Sequence, residues 1–163
     1  MTEEYIMSVL SEVNDPEIPV LNIVEMGIVR SVRIQHQRVT IRITPTYSGC
    51  PAMNVIENDI HKTLSEKGIE TFDVVTDFSE TWTTDWMTSE ARQKLKEYGI
   101  APPGKSETDH DFLTGLKNSQ KIVPCPWCDS LETFLQSEFG STACKSQHYC
   151  NGCDQPFEHF KCI

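Results

Sequence analysis

The stretch that decides the fold is "RVTIRITPTYSGCPAMNVIENDI", residues 38–60. Its first part alternates: Val39, Ile41 and Ile43 fall on one side of an extended chain, and Thr40, Arg42 and Thr44 on the other. That pattern predicts a half-buried strand over 38–44. Gly49-Cys50-Pro51 then makes a sharp corner. Pro51 suits the first position of a helix, where its missing N–H costs nothing. Met53, Ile56, Ile60 and Leu64 follow at spacings of three, four and four, one face of a helix that Gly68 is placed to stop. A strand feeding an amphipathic helix through a tight corner implies helix packing on one sheet face.

The neighbouring stretches extend the pattern. Residues 28–35, "IVRSVRIQ", read as a strand, and His36-Gln37 as the turn of a hairpin with 38–44. Residues 69–76, "IETFDVVT", read as a third strand. Ile6, Val9, Leu10 and Val13 share a helical face, so residues 3–12 are expected to form a short helix. The two prolines of "NDPEIPVLN", residues 14–22, break it. Thr88 or Ser89 can cap a further short helix that Gly99, Pro102 and Pro103 end. Trp82 and Trp86 suit either buried ring packing or a partner-docking surface. The expected organisation is an α+β domain over 1–101, with a mixed sheet and packed helices, a polar linker over 102–122, and a small cysteine-rich module over 123–163.

The chain has 163 residues and a formal charge of -10 at pH 7. Such a surface disfavours DNA, RNA and anionic lipid, and no Lys/Arg cluster is visible along the sequence. No apolar run suits a membrane span, and "MTEEYIMSVL" lacks the basic region of a signal peptide. The expectation is a cytoplasmic protein that engages neither nucleic acid nor membrane.

Six of the seven cysteines lie beyond residue 124. Cys125-Pro-Trp-Cys128 and Cys150-Asn-Gly-Cys153 are matched pairs with 21 residues between them. Each C-x-x-C turn supplies two sulfurs, and two turns complete a closed four-thiolate site, the pattern of a zinc-ribbon-like module. A core this small needs such a staple. A mononuclear iron site has the same geometry, and disulfides are the competing reading. Cys144 could substitute as a ligand; it and Cys162 otherwise read as small buried apolar groups. His148 and His159 are nearby, but four sulfurs already fill the site.

Cys50 is isolated from the rest. At the start of a helix, unpaired backbone N–H groups favour thiolate over thiol. It could bind iron, carry a labile metal or attack an electrophile; the competing reading is a small residue packed into a tight corner. Asp15 and Glu17 could reach a metal with Cys50 or merely cap turns. The sequence contains no nucleophile elbow, phosphate loop or H-E-x-x-H.

These residues carry a resemblance. "DPEIPVLNIVEMGIVRSV", from Asp15 to Val32, with "TPTYSGCPAM", from Thr44 to Met53, resembles the small family that assists iron–sulfur cluster assembly, over roughly residues 3–77. With "SEARQKL" after Trp86, the C-x-x-C pairs, "SEFGSTACK" at Ser137–Lys145 and "PFEHFKCI" at Pro156–Ile163, nearly the whole chain is similar to the D-subunit family of bacterial phenylacetyl-CoA epoxidase systems. In such a system a di-iron component epoxidises the ring with O2, and a flavin and iron–sulfur reductase supplies electrons. The chain has neither the carboxylate/histidine pattern of a di-iron bundle nor a dinucleotide fingerprint.

The resemblance implies a non-catalytic accessory factor for metal or cluster maturation, touching the di-iron oxygenase component or the reductase. It places Cys50 on the family's characteristic cysteine and Asp15 and Glu17 on its acidic motif. They are thus the candidates for transient contact with iron or an iron–sulfur cluster, beside permanent zinc in the tail. The alternative is a purely structural subunit of the oxygenase complex. A thiol enzyme is a third reading, weakened because Cys50 has no resolving cysteine in its own domain.

Overall fold

The computed structural model describes residues 1–47, 49–104 and 122–161. Its contacts divide the chain into two units, Met1–Ala91 and Arg92–Ile163. The division falls ahead of the boundary at 101 expected from the sequence. The reason is that residues following Ala91 make their sheet and side-chain contacts with the cysteine-rich tail. Most of the expected linker lies outside the described residues. No helix among the described residues is long and apolar enough to cross a membrane.

The first unit is α+β, as the alternating and helical patterns require. Helix α1 (Glu3–Leu10) is capped by the Thr2 side chain, which accepts from the Tyr5 N–H, and it buries Ile6, Val9 and Leu10. Strands β1 (Val29–Gln35) and β2 (Arg38–Ile43) form the expected antiparallel hairpin. Its turn is His36-Gln37, both with positive φ, of 48° and 66°. Helix α2 (Ala52–Glu66) then crosses to β3 (Phe72–Thr76), which pairs parallel to β2, giving the sheet order β1-β2-β3. The sheet is therefore mixed, because a parallel neighbour needs a crossover that α2 provides.

The buried face of β2 is Val39, Ile41 and Ile43, all fully enclosed. Ile56, Ile60 and Leu64 of α2 are likewise buried. Residues 13–28 form no regular element, yet they supply Ile18, Leu21, Ile23, Met26 and Ile28 to the core. Their backbone is held by the Asn14–Asn22 bridge and by side-chain caps. Asn22 Oδ1 accepts from Val24 and Glu25 N–H, and Glu25 Oε1 accepts from the Asn22 N–H. Trp82 is core, as the packing reading has it: 1% exposed, with its indole N–H donating to the Met26 carbonyl at 3.1 Å. It is not helical; a 3-10 turn over Thr84–Trp86 holds Trp86 alone. Gly27, at φ 73°, lies so close to Trp86 that a Cβ there would sit 2.6 Å from the Trp86 Cβ.

Helix α3 (Ser89–Glu97) starts at Thr88, whose hydroxyl accepts from the Ala91 N–H. Gly99, at φ 89°, ends it, as the sequence suggests. In the second unit, β4 (Ile100–Ala101), β5 (Thr133–Ser137), β6 (Lys145–Cys150) and β7 (Gln155–Phe160) form a sheet ordered β4-β7-β6-β5. β4 pairs parallel to β7, and the remaining pairs are antiparallel. A small core gathers Ala101, Val123, Cys125, Cys150 and Phe157. The ring of Trp127 closes over Gly99, where a Cβ would come within 2.1 Å of it, and Lys96 donates to Asp129 at 2.5 Å.

Candidate metal centre

Two turns build the site. Cys125-Pro-Trp-Cys128 leads towards β5, and Cys150-Asn-Gly-Cys153 joins β6 to β7. In the first, the Asp129 N–H donates to the Cys125 carbonyl, and the Cys125 N–H to the Ser130 carbonyl. In the second, the Gly152 and Cys153 N–H groups donate to the Cys150 sulfur. Asp129 and Asp154 follow the second cysteine of their turns, both in the left-handed region at φ 58° and 56°. The repeated unit is thus Cys-x-x-Cys-Asp, and aspartate tolerates that backbone better than most residues. Gly152 has no room for a Cβ, which would meet Ser130 Oγ at 2.7 Å.

The four sulfurs lie within 4.8 Å of one another. The Cys125–Cys153 pair stands at 3.7 Å and Cys128–Cys150 at 3.6 Å. A tetrahedron with zinc–sulfur arms of about 2.3 Å has edges of about 3.8 Å, so the spacing fits one tetrahedral ion with all four positions filled. Cys125 and Cys150 are buried, Cys153 is half-buried and Cys128 is exposed. Their thiols are not alike. Burial pushes Cys150 up, but the N–H groups of Cys153 and Gly152 and the neighbouring sulfurs outweigh it and bring it down to about 7. Burial, with the other three sulfurs, pushes Cys153 up to about 12. A positive ion at the centre favours the thiolate of every member.

Cys144 lies outside this group. It is 4% exposed, with its sulfur 3.1 Å from Thr142 Oγ1. His148 is 5% exposed, stacked on Phe157, and bonds the Ser146 hydroxyl through Nε2 at 3.0 Å. Cys162 lies outside the described residues.

Cys50 is half-buried at the corner between β2 and α2. Its N–H donates to the Tyr47 carbonyl and its carbonyl accepts from the Met53 N–H. Pro51 stands one position earlier than expected, as the N-cap with helical φ of -68°, and offers no side-chain cap. Beside it, a Cβ on Gly49 would meet nothing within 4 Å among the described residues other than its chain neighbours. Asp15 is a turn cap: 6% exposed, its Oδ1 accepts from the Glu17 N–H at 2.7 Å and the Ile18 N–H at 2.8 Å. The described residues contain one group of three or more possible metal ligands, the four tail cysteines. Cys50, Asp15 and Glu17 do not form a second.

Sequence reasoning missed the support of this site. The duplicated Cys-x-x-Cys-Asp was readable, whereas the partnership of Lys145 with Glu158, at 3.2 Å with the lysine 4% exposed, depends on β6–β7 register. Also missed was the arginine face of the first sheet, because Arg30, Arg33, Arg38 and Arg42 are dispersed in sequence and converge only through the hairpin.

Residues 109–161 match the family model described as PaaD zinc beta ribbon domain, and residues 3–76 match that of an iron-sulfur cluster assembly protein. An Escherichia coli (strain K12) protein named as the D-subunit of 1,2-phenylacetyl-CoA epoxidase is 45% identical over 97% of this chain and 92% of its own length. The chain belongs to the epoxidase D-subunit family. This family member is also 36% identical, over 96 residues, to an Fe-S protein maturation auxiliary factor of Porphyromonas gingivalis, covering 58% of this chain and 90% of that one. Among solved structures, a domain of unknown function from Bacillus anthracis aligns with a TM-score of 0.54 at 28% identity. It covers 57% of this chain and 90% of that one. In this D-subunit homologue an assembly-type domain and a zinc ribbon are thus joined in one chain.

Proposed function

We propose that the chain is a cytoplasmic, non-catalytic maturation factor that delivers iron or an iron–sulfur unit to the di-iron component or the reductase of a phenylacetyl-CoA epoxidase. The observation that carries this is the division of the cysteines. Four are gathered in one closed group with no position left for cargo, and Cys50 is set apart, half-buried, in the unit matched by the assembly model. Zinc, when bound, cross-links the two tail turns and stabilises their folded form. Cys125, Cys128, Cys150 and Cys153 would hold it.

At the first unit, Cys50 would give up its thiol proton to water as its sulfur takes an iron cargo from a carrier, displacing one carrier ligand without change of oxidation state. Asp15 fixes the loop of residues 15–18 through Oδ1.

The test is co-expression with the di-iron component and reductase, anaerobic purification, and analysis of zinc, iron and sulfide. Cys50→Ser is expected to lower iron in the client while leaving zinc in this chain intact. Cys125→Ser is expected to remove the zinc. Unchanged client iron in Cys50→Ser defeats the proposal and favours a purely structural role, in which only Cys125→Ser disturbs the complex.

A further inference from the structure

The first unit segregates its positive charge. Up to Ala91 the basic side chains are Arg30, Arg33, Arg38, Arg42, Lys62 and Lys67, among a large excess of carboxylates. All the arginines lie on β1 and β2, where they are exposed, while Val32, Val39, Ile41 and Ile43 are buried. The irregularity between Val29 and Ser31 brings Arg30 to the solvent as well.

Part of this face is hollowed. A cleft of about 310 Å³ is lined by Arg30, Ser31, Arg33, Arg42, Asp77 and Glu80. Ser31 stands opposite Arg42, and Arg33 opposite Thr40, so Arg33 and Arg42 are diagonal neighbours across the hairpin. Such neighbours are separated by roughly 7–8 Å, a span that two long guanidinium groups close around a carboxylate. Arg30 is fixed by the Trp86 ring, with its guanidinium 3.4 Å from the ring centroid. Arg42 pairs with Asp77. Glu80 stands 3.9 Å from Arg30 with its side chain 65% exposed, an arrangement worth little and easily displaced. Arg33 has no hydrogen bond or ion pair among the described residues. Val75, in register with Arg42 and 43% exposed, adds an apolar patch beside the cleft.

We propose that this arginine face docks an acidic segment of a partner protein, with carboxylates seated between Arg33 and Arg42 and Arg30 completing the rim. Guanidinium forks recognise carboxylates in two-point fashion. Asp77 and Glu80 already pair with Arg42 and Arg30 there, so carboxylates fit this cleft. The docking does not require cargo at Cys50.

The experiment uses the full chain and fluorescein-labelled hexaglutamate, followed by fluorescence anisotropy in about 50 mM salt. Saturable binding is expected. Arg33→Glu should weaken it by about tenfold, the loss of one charge-assisted contact. Lys62→Glu, which changes net charge identically from an exposed position on α2, should leave it within about twofold. Arg33→Gln, which carries no new charge, should also weaken it and serves if the reversal disturbs folding. The proposal is overturned if binding does not saturate, if Lys62→Glu costs as much as Arg33→Glu, or if an oligothymidylate of equal charge binds more tightly than the peptide.

Discussion

At the scale of single residues, two positions have no freedom. Gly27 combines a positive φ with the Trp86 Cβ and carbonyl in the space a side chain would need. Gly27→Ala is expected to destabilise the first unit by roughly 3 kcal/mol, from left-handed strain plus overpacking, read as a lower urea midpoint. Glu158 is the second. Burial raises its carboxyl, but the Ser141 N–H and hydroxyl and the Lys145 ammonium prevail and hold it below its usual value of 4.5. A carboxyl depressed on folding stabilises the fold above its unfolded pKa, and that contribution fades as pH falls through the folded value. Glu158→Gln, which strands a nearly buried Lys145, should therefore cost about 2 kcal/mol at pH 7. The gap from wild type in thermal melts should narrow below pH 4.5. The four-sulfur site was legible from spacing alone, because C-x-x-C is a local geometry. Neither Gly27 nor Glu158 was, since what restricts each is a residue distant in sequence.

At the scale of elements, legibility followed periodicity. β1, β2 and α2 were readable because each presents one long apolar face, and their ends fall within a few residues of expectation. Ile60, fully enclosed on that helical face, should cost about 3 kcal/mol when changed to Ala, measured by equilibrium unfolding. β4 was not legible, because two residues carry no period and its order comes from pairing with β7. The arginine face was hidden for a related reason: alternation disperses it along the chain, and only register reassembles it. Within "DPEIP" the Asp15 Oδ1 accepts from two backbone N–H groups, a common use of an aspartate before a proline turn.

For the molecule as a whole, stability is supplied by two different means. The first unit has a continuous apolar core, while the second has a few buried side chains around sulfur. Chelation of metal from the full chain should therefore abolish amide protection over 123–161 in hydrogen-exchange mass spectrometry while β1–β3 retain theirs. Loss of protection in both would contradict this separation. The order of the second sheet has a consequence for biosynthesis. β7 lies between β4 and β6, so the latest of these four strands to leave the ribosome is the one that joins the other two. The first unit, Met1–Ala91, is translated ahead of this sheet and can fold while translation continues. A nascent chain released early, before Gln155, would carry an intact assembly-type domain yet lack the strand that completes the ribbon, so premature termination should yield polypeptides that fail to retain zinc.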